Sequence, residues 1–223
     1  INALSKGTAP DVMVVFGMHL HEKSVAYIMS DGAWDTPLGE IQIHETLAEK
    51  LMERFDFQVE TARSYTPDNT IELQLPFIKY FFPQTKLVPI GVPPIKKSLE
   101  IGRAAVAFAA DLDLTIQVIG STDLTHYGRN YGFTSRGSGE AAVEWVKKNN
   151  DSQIISAMLS MDPERVIGEA LANQNACCAG AAATAIAAVK SLGATRALNT
   201  SYATSYDKSP GDSFVGYVGM VFE

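Results

Sequence analysis

Cysteine is nearly absent from this chain: 223 residues contain two, and they are adjacent, Cys177-Cys178. That excludes a disulfide framework and fits a reducing compartment, so a cytoplasmic location is expected. Histidine is almost as scarce, at four residues. No apolar run approaches the about 18 residues that a transmembrane helix needs, and no signal peptide is expected ahead of the first strand. Basic residues are outnumbered, 18 Lys and Arg against 25 Asp and Glu, for a formal net charge of −7. Neither nucleic acid nor an anionic membrane surface is therefore expected as the main partner, because both reward clustered positive charge. Walker, GxGxxG, HExxH and GxSxG motifs are all missing, which removes the usual support for nucleotide, dinucleotide, zincin and serine-hydrolase chemistry. There is no internal repeat and no low-complexity linker.

What is present reads as one α/β domain. Apolar residues make up 46% of the chain and charged residues 19%, ordinary values for a globular protein with a single core. Asp11 to Phe16, Ser24 to Met29, Lys86 to Val92 and Leu114 to Gly120 are short apolar runs bounded by turn residues, as buried strands are. Leu47, Leu51 and Phe55 mark a helix over 44–55, and a helix over 68–82 is expected to kink or restart at Pro76. Further helices are expected over 96–112, 139–149, 151–160, 162–173 and the alanine-rich 178–192. Arg196 to Thr204 and Phe214 to Phe222 flank a turn-rich segment and read as a hairpin-like strand pair. The Gly/Ser/Arg stretch from Gly128 to Gly139 reads as a mobile lid.

Candidate chemistry gathers in three places. Ser121-Thr122-Asp123-Leu124-Thr125-His126-Tyr127-Gly128 follows a strand, at the carboxyl edge where α/β sheets bind ligands. There His126 suits a general acid or base or a metal ligand, and Asp123 can fix its tautomer or bind a metal itself; a helix cap and a packing histidine explain the same residues. Gly17-Met18-His19-Leu20-His21 follows the first strand, and its His-x-His pair can bind one metal when extended, or merely cap and pack. Cys177-Cys178 opens a helix, where the dipole favours thiolate, although two small buried residues in a packing surface fit equally well. Glu72 or Gln74 can point into the crevice or to solvent, and His44 is expected on the surface.

Jointly, Ala33-Trp34-Asp35-Thr36-Pro37-Leu38-Gly39-Glu40, Ile71-Glu72-Leu73-Gln74-Leu75-Pro76-Phe77, Ser121 to Gly128, Asn175-Ala176-Cys177 and Ser201 to Ser205 with Gly216-Tyr217 resemble the Memo-like family. That family includes protein B of the AmmeMemoRadiSam system and shares its fold with class III extradiol dioxygenases. The resemblance spans almost the whole chain and implies a three-layer α/β/α domain over residues 1–223 with a central, mostly parallel or mixed sheet. It implies a pocket in which His19 or His21, Cys177, Asp123 and His126 take the family's places. The family's Pro-His-Ala-Gly motif is absent, so the chain is expected to lack an N-terminal strand and a first ligand. Asp68-Asn69-Thr70 stands where relatives carry Glu-His-Ser, and the histidine turn after Gly17 is one residue out of register.

By the same resemblance the pocket would hold a divalent metal, Fe(II) by analogy, with His19 or His21 and Cys177 as ligands; a thiolate favours Zn or Cu as well. A metal-dependent, dioxygenase-like redox enzyme follows, with His126 shuttling a proton and Asp123 orienting it. A non-catalytic module that takes a small molecule, peptide or partner protein in the same pocket is the alternative, and a thiol hydrolase built on Cys177 and His126 is a third. A homo-oligomer is compatible with either of the first two.

Overall fold

The computed structural model describes all residues, 1–223. Its central sheet has five strands in the order β5 (Phe57–Glu60), β2 (Ala26–Met29), β6 (Lys86–Gly91), β1 (Val12–Gly17) and β7 (Ile116–Gly120). β1 pairs in parallel with β6 and β7, β2 in parallel with β5, and only β2 and β6 run antiparallel. The expected mixed, mostly parallel sheet is observed. β1 is buried along its whole length because both faces of the sheet are covered. Val12, Val14 and Phe16 face one helical layer with Leu47 and Leu51 of α1 (Glu45–Arg54), Ile101 and Ala105 of α4 (Lys96–Asp111), and Ala181 of α8 (Ala179–Ser191). Met13 and Val15 face the other, with Ile71 of α2 (Asn69–Glu72) and Leu75 and Ile78 of α3 (Leu75–Phe81). The alternation of one strand thus specifies three layers.

Two short strands, β3 (Ala33–Trp34) and β4 (Ile41–Gln42), form a separate ribbon. Beyond β7, β8 (His126–Gly128), β10 (Ser213–Phe222) and β9 (Ala197–Thr204) make a second, antiparallel sheet in the order β8-β10-β9. Helices α5 (Glu140–Trp145), α6 (Asp151–Leu159) and α7 (Pro163–Asn173) complete the fold. α8 is buried without interruption from Ala179 to Ala188. Its alanines allow close approach to α4, α7 and the sheet, so this helix is central and not amphipathic. No helix is long and apolar enough to cross a membrane.

Several local expectations change. The segment over 68–82 is two short helices, with Pro76 in the first turn of the second, where its missing N–H costs nothing. The amino-terminal segment, whose Gly7 reads in the sequence as the end of a helix, is a single 3-10 turn, Leu4–Lys6. His44 is a half-buried helix cap and not a surface residue, its Nδ1 accepting from the Leu47 N–H at 3.2 Å. The stretch after Gly128 is tied down, since the Tyr127 hydroxyl donates to the Gly137 carbonyl and accepts from the Arg136 N–H at 2.7 Å.

Candidate functional site

Three turns that are distant in sequence converge at the carboxyl edge of the sheet. The first follows β1: Gly17 leads to Met18, whose φ of 73° is left-handed, and this bend delivers His19. The turn is pinned by the start of α2. The Thr70 hydroxyl accepts from the Met18 N–H at 2.7 Å, and Asp68 Oδ2 accepts from the His19 N–H at 3.0 Å. The same oxygen lies 2.8 Å from His19 Nδ1, which leaves Nε2 as the uncommitted ring nitrogen. Asp68 does this while capping α2, its Oδ1 taking the Thr70 N–H at 2.8 Å. Burial pushes the Asp68 carboxyl up, but the bonds from Thr70 and His19 outweigh it and hold the group below the usual carboxylate range.

The other two turns bind each other through backbone. The Cys177 N–H donates to the Asp123 carbonyl at 3.1 Å, and the Asp123 N–H points back at Cys177 Sγ at 3.3 Å. The Thr122 hydroxyl accepts the Cys178 N–H at 3.0 Å, which adds a third tie. His126 Nε2 lies 3.3 Å from Asp123 Oδ2, and its ring packs 4.9 Å from that of Tyr131. Donor atoms of Asp123, His126 and Cys177 lie within 4.8 Å of one another, as do those of His19, Cys177 and Cys178. Cys177 belongs to both groups and stands at the middle of the site.

The electrostatics follow from this layout. The neighbouring Cys178 thiol, His126, His19 and the Asp123 amide hold the Cys177 thiol well below its usual range, against the opposing effect of burial. Cys178 is pushed up by the same neighbour and by burial, so it stays a thiol beside a thiolate. His126 is raised to about 9 by Asp123 and then Cys177, and His19 to about 9 by Cys177 and Asp68, with burial opposing both. Burial and the negative charges of Asp123 and Cys177 push up the Tyr217 phenol near the site. In metal-free protein the imidazole C–H resonances of His19 and His126 are therefore expected to titrate near pH 9. Cys177→Ala should move both midpoints down. Because these folded-state values lie above an unfolded value of about 6.5, the stability they contribute is whole below that pH and is lost as pH rises towards 9.

Of the residues singled out in the sequence, His19, Asp123, His126 and Cys177 come together. His21 does not join them; it is exposed, and its Nδ1 accepts from the Lys23 N–H at 3.2 Å within its own turn. Gln74, not Glu72, reaches towards the site, its amide donating to the Ser121 hydroxyl at 3.1 Å. Asp68 and Thr122 escaped the sequence reading as working parts. The Asp68-x-Thr70 helix cap was the only local signal for one of them.

The fold and site together define a three-layer α/β/α protein with a candidate metal centre of imidazole, thiolate and carboxylate donors at the sheet's carboxyl edge. Residues 1–221 match the family model described as Memo-like protein. The chain belongs to the Memo-like family. It is 32% identical to a MEMO1 family protein of Methanopyrus kandleri, over 98% of this chain and 75% of the relative. It is 31% identical to one of Pyrococcus furiosus, over 98% and 78%. The crystal structure of an uncharacterized protein from Escherichia coli K12 superposes with a TM-score of 0.59 at 13% identity, covering 96% of this chain and 89% of that one. That likeness concerns the fold alone.

Proposed function

We propose that the protein is a metal-dependent redox enzyme whose metal is held by His19 and Cys177, with His126 and Asp123 beside it. The observation that carries this reading is that Cys177 belongs to two groups of donor atoms, one with His19 and Cys178 and one with Asp123 and His126, each within 4.8 Å. The donor set suits a transition metal: a carboxylate behind an imidazole, as Asp68 stands behind His19, is the usual support for a metal-bound histidine. Such a metal, iron or, given the thiolate, zinc or copper, would supply Lewis acidity and, for iron or copper, electron transfer. The chain's own residues do the rest. His126, charged through its bond to Asp123, holds a proton at the mouth of the site and can return it to a substrate atom. Tyr131, packed on the His126 ring, borders the space where a small molecule or an extended peptide would lie.

The test is a titration of purified apo-protein with Fe(II) under argon, and with Co(II) as an optical probe of thiolate ligation. One ion per chain is expected. Asp68→Asn, which preserves the helix cap but removes the charge behind His19, is expected to weaken binding roughly 10–100-fold. Iron-loaded protein that takes up oxygen with a reducing substrate, against none for the apo-protein, supports turnover. A wild-type protein that takes up no metal would end this reading and leave a binding module on the same frame.

A further inference from the structure

The sulfurs of Cys177 and Cys178 lie 3.4 Å apart. Adjacent side chains on a strand point to opposite faces, but this turn, where Cys178 is neither helical nor extended (φ −123°, ψ 55°), brings the two sulfurs together. The backbone holds them there. The Cys177 N–H donates to the Asp123 carbonyl at 3.1 Å and the Cys178 N–H to the Thr122 hydroxyl at 3.0 Å, so neither residue can swing away without breaking a bond to the neighbouring turn. Their surroundings differ. Cys177 is half-buried and stands in the site, whereas Cys178 is 3% exposed and belongs to the apolar cluster that covers one face of the central sheet. An oxidant that enters the site therefore meets Cys177 first. The chain has no third cysteine, so the one thiol within it that an oxidised Cys177 can react with is already in contact.

We propose that Cys177 and Cys178 form a reversible dithiol–disulfide couple, in which a peroxide oxidises the pair and thereby withdraws the Cys177 sulfur from the candidate metal centre. In the first step the Cys177 sulfur attacks one oxygen of hydrogen peroxide; the O–O bond breaks, the departing hydroxide leaves as water with the thiol's proton, and a sulfenic acid remains. The Cys178 sulfur then attacks Cys177 Sγ and expels the hydroxyl, which leaves with the second thiol's proton as water. Two thiols and one peroxide give one disulfide and two waters, two electrons passing from sulfur to oxygen. The sulfurs need only close from 3.4 Å to about 2.05 Å. Across a trans peptide the Cα atoms stay about 3.8 Å apart, closer than disulfides prefer, so a dithiol reduces the bond readily and it suits a switch, not a permanent staple. Cys177 is the donor common to both groups of candidate ligands, and in a disulfide its sulfur is no longer the anionic ligand that binds metal. Control of metal binding rests on the proposed metal centre; formation of the disulfide does not.

The experiment treats metal-free protein with one equivalent of hydrogen peroxide and reads intact mass, free thiols and Co(II) affinity. Wild-type protein is expected to lose the mass of two hydrogens and both free thiols together, with the new bond inside the peptide that carries both cysteines and the circular dichroism spectrum unchanged. Dithiothreitol should restore both thiols. Cys178→Ser protein, which lacks the second sulfur, should instead gain oxygen and be trapped by dimedone as the sulfenic acid of Cys177. Oxidised wild-type protein should bind Co(II) at least about 10-fold more weakly than the same sample after reduction. The proposal is overturned if peroxide leaves both thiols free, if wild-type protein gains oxygen without closing the bond, if the bond joins two chains, if oxidation unfolds the protein, or if both redox states bind Co(II) with equal, measurable affinity. Protein that closes the bond yet binds no Co(II) in either state keeps the couple and ends the metal centre instead.

Discussion

Cys177→Ala protein is expected to lose metal affinity by at least about 100-fold, above the range for removing a residue that only supports a ligand. The thiolate-to-Co(II) charge-transfer band should vanish with it. Cys177 is the donor shared by both groupings of candidate ligands, so its loss breaks both at once. The fold should survive, because the backbone bond from the Cys177 N–H to the Asp123 carbonyl does not involve the side chain. Metal content by elemental analysis, with circular dichroism as the control for folding, checks both halves. Unchanged stoichiometry and affinity in this variant would remove the thiolate from the centre and with it the proposed ligand set.

The largest stability loss is expected at a residue that never reaches the site. Asp151 is fully buried and takes three hydrogen bonds: the Thr125 N–H at 3.1 Å, the Thr125 hydroxyl at 2.5 Å and the Tyr202 hydroxyl at 2.7 Å. A π-helical turn, Val146–Asn150, precedes it and also turns Asn150 inward, whose amide donates to the Thr125 hydroxyl at 3.0 Å. Space for the carboxylate exists because residue 216 is glycine; a Cβ there would lie 2.0 Å from Asp151 Oδ2. Burial pushes the Asp151 carboxyl up, with the Thr125 and Tyr202 bonds opposing. Asp151→Ala leaves several donors unpaired in a dry interior, each costing roughly 1–3 kcal/mol. A total loss of about 3 kcal/mol or more is expected, or about 10 °C in melting temperature for a chain of this size. Asp151→Asn keeps an acceptor and should lose less. Urea and thermal unfolding decide it. Thr125 adjoins His126, so the alanine variant should also loosen the Asp123–His126 pair.

The elements most legible in the sequence were those with unbroken patterns. β1, β6 and β7 are apolar runs closed by glycine, and α1 and α4 repeat apolar residues at helical spacing. β5 was not legible, because Phe57-Gln58-Val59-Glu60 is a half-exposed edge strand with little burial to impose a pattern. β8 was hidden for a different reason: three residues become a strand only because β10, about 90 residues later, lies beside them. The site divides in the same way. His126 and Asp123 share one motif and were readable together. The choice of His19 over His21 was not, since it depends on Asp68 reaching across 49 residues to fix one imidazole. Asp68 itself reads locally as a helix cap, and its second task exists only in three dimensions.

The backbone clasp between the Asp123 and Cys177 turns has an evolutionary corollary. Two peptide groups set where these side chains start, whatever the side chains are. A lineage can therefore exchange sulfur for oxygen or nitrogen at position 177, or carboxylate for amide at 123, without rebuilding the scaffold. Side-chain chemistry at these two positions and the frame that carries them are thereby separable.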